Sequence, residues 1–174
     1  MRELIKSIIT LTTVATVAGF VLALTNDYTA PLIEMQKQLV IQESLNKVII
    51  ADSFLKEEKY YNAYDKNEQL VGRVLKVETP GYSSLIVVLA GIDLENKITG
   101  IDVITHQETP GIGSNIEKDY FLEQFVGKSK DELELKKYGG KIDAVTGATI
   151  SSRAVTDGVR KMVETYPCTY LEED

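Results

Sequence analysis

Two segments of the chain place side chains and glycines at spacings that can do chemistry. The first is Asp143–Ser152, DAVTGATISS. Gly147 permits a tight backbone turn, Ala148 keeps the surface flat, and hydroxyls at Thr146, Thr149, Ser151 and Ser152 crowd the start of a helical pattern. A helix N-terminus presents unpaired N–H groups and the positive end of the dipole, so this arrangement can form a phosphate pocket with a hydroxyl at its centre. The same residues can also form an ordinary cap, with a Ser or Thr oxygen accepting from the first helical turn. The second segment is His106–Gly113, HQETPGIG. Its Pro110-Gly111 pair predicts a type II turn. With few side chains beyond Thr109 and Ile112, the loop suits a flat ligand laid against backbone; it also reads as a plain connection from strand to helix.

Other chemistries are excluded by composition. The 174 residues contain one histidine, His106, and one cysteine, Cys168, so a multi-histidine metal centre, an internal disulfide and a multi-cysteine cluster are not expected. No metal site and no nicotinamide-binding glycine fingerprint are read from the chain. With 44% hydrophobic and 26% charged residues, the composition is globular and the length fits one domain with attachments. The net charge is −7; Arg2, Glu3 and Lys6 account for +1, which leaves −8 on residues 27–174. Such a domain repels nucleic acid and anionic lipid head groups.

The elements that must position the two segments begin with a charge-free run of 20 residues, Ser7–Asn26. As a helix it rises roughly 30 Å, the thickness of a bilayer's hydrocarbon core. Its threonines, Thr10, Thr12, Thr13, Thr16 and Thr25, are tolerable there because each hydroxyl can bond back to a carbonyl one turn earlier. A cleaved secretory signal would have a shorter apolar core and a better small-x-small site than Ala23-Leu24-Thr25, so the run is read as an uncleaved anchor. Arg2 and Lys6 precede it and Asp27 and Glu34 follow, which predicts a cytoplasmic N-terminus and an exported domain.

Beyond the anchor, Pro31 is expected to open an amphipathic helix through Leu32, Met35, Leu39, Val40, Leu45, Val48 and Ile49. A hairpin is predicted from Tyr60–Asp65 and Leu70–Glu78, and two further strands at Leu85–Ala90 and Ile98–Thr105. Ser114 or Asn115 is expected to cap a short helix containing Ile116, Tyr120, Phe121 and Phe125, and Leu133–Lys136 reads as an exposed strand. The last helix carries an apolar stripe of Ile150, Ala154, Val155, Val159, Met162, Val163 and Tyr166, and stops at Pro167. The expected fold class is α+β: an N-terminal transmembrane helix, then a domain with a mostly antiparallel sheet and flanking helices. The expected divisions are residues 1–26 (cytoplasmic tip and anchor), 27–56 (helical connection) and 57–174 (the domain).

Taken together, the anchor at about Leu4–Thr25, His106–Gly113 and Asp143–Thr149 resemble the G subunit of the Rnf ion-translocating electron-transport complexes. Its FMN-binding domain is shared by the C subunit of the sodium-translocating NADH:quinone reductase. The family pattern is H-x-E-T-P-G-x-G followed by D-x-x-[ST]-G-A-[ST]. The resemblance implies FMN joined covalently by a phosphoester to Thr149, with Thr146, Gly147 and Ala148 around the attachment and Glu108, Thr109, Gly111 and Ile112 near the isoalloxazine ring. It implies a flavin transferase during maturation, since a threonine hydroxyl is a poor nucleophile unaided, and a place among other membrane subunits. The chain would then relay electrons in a ferredoxin:NAD+ oxidoreductase without catalysing alone. The alternatives are the C subunit of the quinone reductase, a free-standing flavinylated extracytoplasmic carrier, and a non-redox sensor of a phosphate ligand. Asp143 would help the transferase or serve as a turn carboxylate; His106 would tune the flavin or serve as a structural hydrogen-bonder; Cys168 is read as a bystander.

Overall fold

In the computed structural model, which describes residues 2–168, helix α1 (Arg2–Val48) is followed by five strands and two further α-helices. The strands are β1 (Ser53–Lys56), β2 (Tyr60–Tyr64), β3 (Leu70–Pro80), β4 (Leu85–Asp93) and β5 (Ile98–Thr105); the helices are α2 (Asp119–Leu122) and α3 (Thr149–Thr165). The chain divides into two compact units, residues 1–40 and 41–174.

The first unit is helical over its described residues, and long and apolar enough to cross a membrane. Thr10, Thr13, Thr16 and Thr25 each donate to the carbonyl four residues earlier, at 2.8–3.0 Å, as expected of hydroxyls on such a helix. Leu4, Ile8, Leu11, Phe20 and Leu22 are exposed, an apolar surface that water would penalise and lipid would not. Pro31 does not open a new helix: it lies inside α1, which runs through it without a break. Helices tolerate an interior proline when neighbouring bonds hold the chain, at the loss of one backbone donor.

In the second unit the strands form an antiparallel meander in the order β1-β2-β3-β4-β5. Alternation puts Leu75, Val77, Val88, Ala90 and Ile92 on one face, where the Leu75↔Ala90 and Val77↔Val88 pairs face Val155, Val159 and Val163 of α3. Ile116, Phe121, Phe125, Leu133, Leu135 and Ile142 complete that core. The opposite face carries Val74 and Leu89 and is covered by Leu45, Val48 and Ile49 from the end of α1. Two side-chain bonds fix that end: Thr99 Oγ1 donates to the Val48 carbonyl at 2.6 Å, and Ser44 Oγ donates to Asp102 Oδ2 at 2.6 Å.

Some local expectations are corrected. Leu133–Lys136 is not an exposed strand. Leu133 and Leu135 are buried between single 3-10 turns at Lys130–Glu132 and Lys136–Tyr138, and only an isolated bridge joins Leu135 to Ile142. Strand β1 gives no sequence signal because its residues are almost all exposed and lack alternation. Ile150 leaves the apolar stripe of α3 and is exposed, while Ser151, Ser152 and Thr156 are buried in its place.

Candidate functional site

Three segments meet at the start of α3: the turn after β3, the loop after β5, and the residues leading into the helix. Val145–Ala148 is a β-turn closed by the Ala148 N–H donating to the Val145 carbonyl at 3.0 Å, with Gly147 at φ +80°. Only glycine adopts that conformation cheaply. Ala148 is the N-cap, and no side chain caps the helix. The Ser152 N–H bonds the Ala148 carbonyl at 2.9 Å, so the N–H groups of Thr149, Ile150 and Ser151 have no intrahelical acceptor. The capping reading of the hydroxyls is thereby set aside. Ser152 Oγ accepts from Val145 N–H and donates to the Ala148 carbonyl, and Ser151 Oγ points to Glu108.

The loop His106–Gly113 is built around the type II turn expected of it. The Ile112 N–H donates to the Thr109 carbonyl at 3.2 Å, with Pro110 second and Gly111 third at φ +75°. Ser114 and Asn115 lock this turn rather than cap a helix: Ser114 Oγ accepts from the Gly111 N–H at 2.9 Å, and Asn115 Nδ2 donates to the Gly111 carbonyl at 2.8 Å.

Glu108 joins all three segments. Only 5% exposed, it accepts from Ser151 Oγ at 2.6 Å, from the N–H groups of Ser83 and Ser84 at 3.0 and 3.2 Å, and from Tyr82 N–H at 3.3 Å. Burial alone raises a carboxyl pKa. Here the Ser151 hydroxyl and the N–H groups of Ser83, Ser84 and Tyr82 outweigh it and hold Glu108 below the ordinary glutamate value. Glu108 is therefore a fixed anion that shapes the site.

The three segments enclose a cleft of about 450 Å³ lined by Tyr82, Glu108, Thr109, Ile112, Gly113, Gly147, Ala148, Thr149, Ile150 and Ser151. Of the residues the sequence singled out, Thr149, Gly147, Ala148, Glu108, Thr109 and Ile112 share this cleft. Thr146 and Gly111 do not line it and are exposed. Tyr82, Gly113, Ile150 and Ser151 were missed as cleft residues. Tyr82 carried a readable signal, an aromatic beside the Pro80-Gly81 turn, and it is 70% exposed. Exposed apolar surface of Tyr82, Ile112 and Ile150 lies beside an uncapped helix end and a half-buried threonine. That combination fits a group with a flat apolar ring and an anionic tail.

The remaining candidates have structural partners. His106 Nδ1 accepts from the Glu108 N–H at 3.2 Å, which places the ring proton on Nε2, 3.3 Å from Glu117 Oε2. His106 lies outside the cleft lining. Asp143 is exposed, pairs with Lys136 at 2.6 Å and accepts nothing from the cleft. Cys168 is buried with its thiol pushed up by desolvation, an unreactive setting. Among the described residues no cluster of His, Cys, Asp or Glu could hold a metal ion.

An FMN-binding domain model matches residues 81–164, a span that starts at the turn carrying Tyr82 and ends in the last turn of α3. The G subunit of the proton-translocating ferredoxin:NAD(+) oxidoreductase complex of Clostridium ljungdahlii is 35% identical over 161 residues, covering 88% of this chain and 86% of that protein. The G subunit of the ion-translocating oxidoreductase complex of Methanosarcina acetivorans is 32% identical, covering 94% of each chain. The crystal structure of the C subunit of the Na(+)-translocating NADH-quinone reductase of Parabacteroides distasonis shares the fold, with a TM-score of 0.59 at 16% identity over 82% of this chain and 97% of that one. An FMN-binding domain over residues 81–164 and relatives 32–35% identical over 88–94% of this chain place it in one family: it belongs to the G subunits of the ion-translocating oxidoreductase complexes.

Proposed function

We propose that this chain is the membrane-anchored flavoprotein subunit of a ferredoxin:NAD+ oxidoreductase complex, holding FMN covalently through a phosphoester on Thr149 and relaying electrons between other subunits. The observation that carries the reading is the position of Thr149: the first residue of an uncapped helix, half-buried, on the wall of the cleft closed by His106–Gly113. When bound, FMN accepts and donates electrons singly or in pairs, which lets one carrier serve one-electron and two-electron neighbours.

The chain's own residues supply holding and orientation. Thr149 Oγ1 would carry the ester, and the free N–H groups of the first turn would stabilise its remaining charge by roughly 0.3–1 kcal/mol. That is too small to retain a cofactor outside the cytoplasm, so retention belongs to the covalent bond. Ile112, Ala148, Ile150 and Tyr82 would offer apolar surface to the ring, and Thr109 would offer it a hydroxyl. In this reading residues 1–26 are the cytoplasmic tip and anchor, 27–56 the connection, and 57–174 the FMN domain on the extracytoplasmic side, where a flavin transferase modifies it; residues 169–174 lie outside the described residues.

The experiment is a denaturing gel of the chain co-expressed with a flavin transferase, viewed under ultraviolet light. Fluorescence is expected to survive denaturation in the wild type and in Thr146→Ala and to vanish in Thr149→Ala and Thr149→Val. Labelling that persists in Thr149→Ala and disappears in Thr146→Ala refutes the assignment.

A further inference from the structure

We infer that a second cleft, sharing Thr149 and Ile150 as a wall with the first, is the seat of the phosphate, and that Arg153 is its counter-ion. The inference rests on the reading of Thr149 as the ester-bearing residue and adds the group that neutralises the ester.

The second cleft, about 380 Å³, lies between Thr79 and Pro80 of β3, Tyr138, and the first turns of α3. Thr149 and Ile150 line both clefts. The two differ in charge. The first contains the buried Glu108 carboxylate and no cation among its lining residues, whereas the second contains Arg153 together with its ion-pair partner Asp157. A phosphodiester on Thr149 carries one negative charge, so the first cleft opposes it, whereas in the second the Nη donors of Arg153, not engaged by Asp157, can meet it. The apolar walls of the first cleft are then left to the uncharged ring.

Arg153 is placed and held for this task. It follows Thr149 by one helical turn, so both stand on one face of α3, and both line the second cleft. Its guanidinium lies over the Tyr138 ring, 4.7 Å from the centroid, and its Nε donates to Asp157 Oδ2 at 3.2 Å. Asp157 is also bonded by Arg160 Nη2 at 3.4 Å, and Arg160 Nη1 bonds Glu134. Two carboxylates thus balance two guanidinium groups, while the Nη nitrogens of Arg153 have no hydrogen-bond partner among the described residues. The Tyr138 ring on one side and Asp157 on another hold the guanidinium, whose Nη nitrogens can donate to the non-bridging phosphate oxygens. Lys136, the cation near Asp143, is already paired to it at 2.6 Å.

The test is ³¹P NMR of the detergent-extracted, flavinylated full chain as wild type, Arg153→Gln and Arg153→Lys, each folded and in urea. In the wild type the folded diester resonance is expected away from its urea position, with a correlation to arginine guanidinium protons. In Arg153→Gln the folded resonance is expected to move at least halfway to the urea position and the correlation to disappear; in Arg153→Lys the resonance is expected between the two. A folded resonance unchanged by Arg153→Gln, or a wild-type diester with no guanidinium correlation, overturns the assignment of Arg153 and leaves the ester reading standing. A wild-type chain with no protein-bound phosphorus after denaturation overturns both. The guanidinium correlation is read on the wild type alone, so the test holds even where a variant fails to fold.

Discussion

Ser151 Oγ donates to Glu108 Oε2 at 2.6 Å, joining the first turn of α3 to a loop 43 residues earlier. Through the same carboxylate the helix start is tied to the turn at Tyr82–Ser84, so one anion sets the geometry of the whole cleft. Glu108→Gln keeps the shape but turns an acceptor-only group into one with an amide donor facing other donors. It is expected to cost about 2–3 kcal/mol, the scale of charge-assisted bonds lost in a buried site, measured as a lower urea midpoint with an unchanged slope. A variant as stable as the wild type would show that the four bonds contribute nothing net.

The same carboxylate makes stability acid-sensitive. Its folded pKa is depressed relative to the unfolded chain, so its contribution is fully present above the ordinary glutamate value of about 4.3 and is lost as pH falls through the folded value. Glu132, bonded by the Lys141 ammonium and the Ser129 N–H and pushed down to about 2, contributes to the same fall, which begins below the same ordinary glutamate value. Urea midpoints between pH 7 and pH 2.5 are expected to fall in the wild type below about pH 4. Glu108→Gln should show a smaller total fall, the remainder coming from carboxylates such as Glu132. Identical pH profiles for the two proteins would contradict the assignment.

Gly147 stands at φ +80°, and a Cβ there would lie 3.2 Å from Ile112 Cγ2. Gly147→Ala is expected to destabilise by about 1–2 kcal/mol through the left-handed backbone. Gly147→Val is expected to abolish flavin labelling as well, because the branched side chain crowds the cleft wall and blocks close backbone approach. Thermal melts give the first effect and gel fluorescence the second; normal labelling of Gly147→Val refutes the packing argument.

His106 is expected to act through its bonds to the Glu108 backbone and the Glu117 carboxylate. His106→Ala removes the acceptor of the Glu108 N–H and should cost about 1 kcal/mol, while His106→Asn, whose side-chain oxygen can replace Nδ1, should recover most of it. Both are expected to label with flavin as the wild type does. A flavin absorption spectrum or potential displaced in His106→Asn would restore the histidine to the redox chemistry.

Strands β2 to β5 are legible in the sequence because their alternation and their turn residues agree: the pattern at Ile98–Thr105 matches the observed ends of β5. The Thr149 helix is legible from Gly147 and the stripe of Val155, Val159 and Val163. Leu133 and Leu135 mislead because two buried leucines two residues apart, between consecutive 3-10 turns, mimic the period of a strand. Pro31 misleads because proline favours a helix start, while a long helix can also carry it inside. The role of Glu108 is not legible at all: its partners lie 24–26 and 43 residues away, and no local pattern reports where a fold will bring four donors together.

Intact-mass analysis of the native chain, extracted from membranes of cells with a working flavin transferase, decides the matter. The expected result is a single species heavier than the polypeptide by one FMN less one water, absent in Thr149→Ala and retained in Thr146→Ala. An unmodified mass in the wild type, or the same added mass in Thr149→Ala, would contradict the assignment of the flavin to this residue.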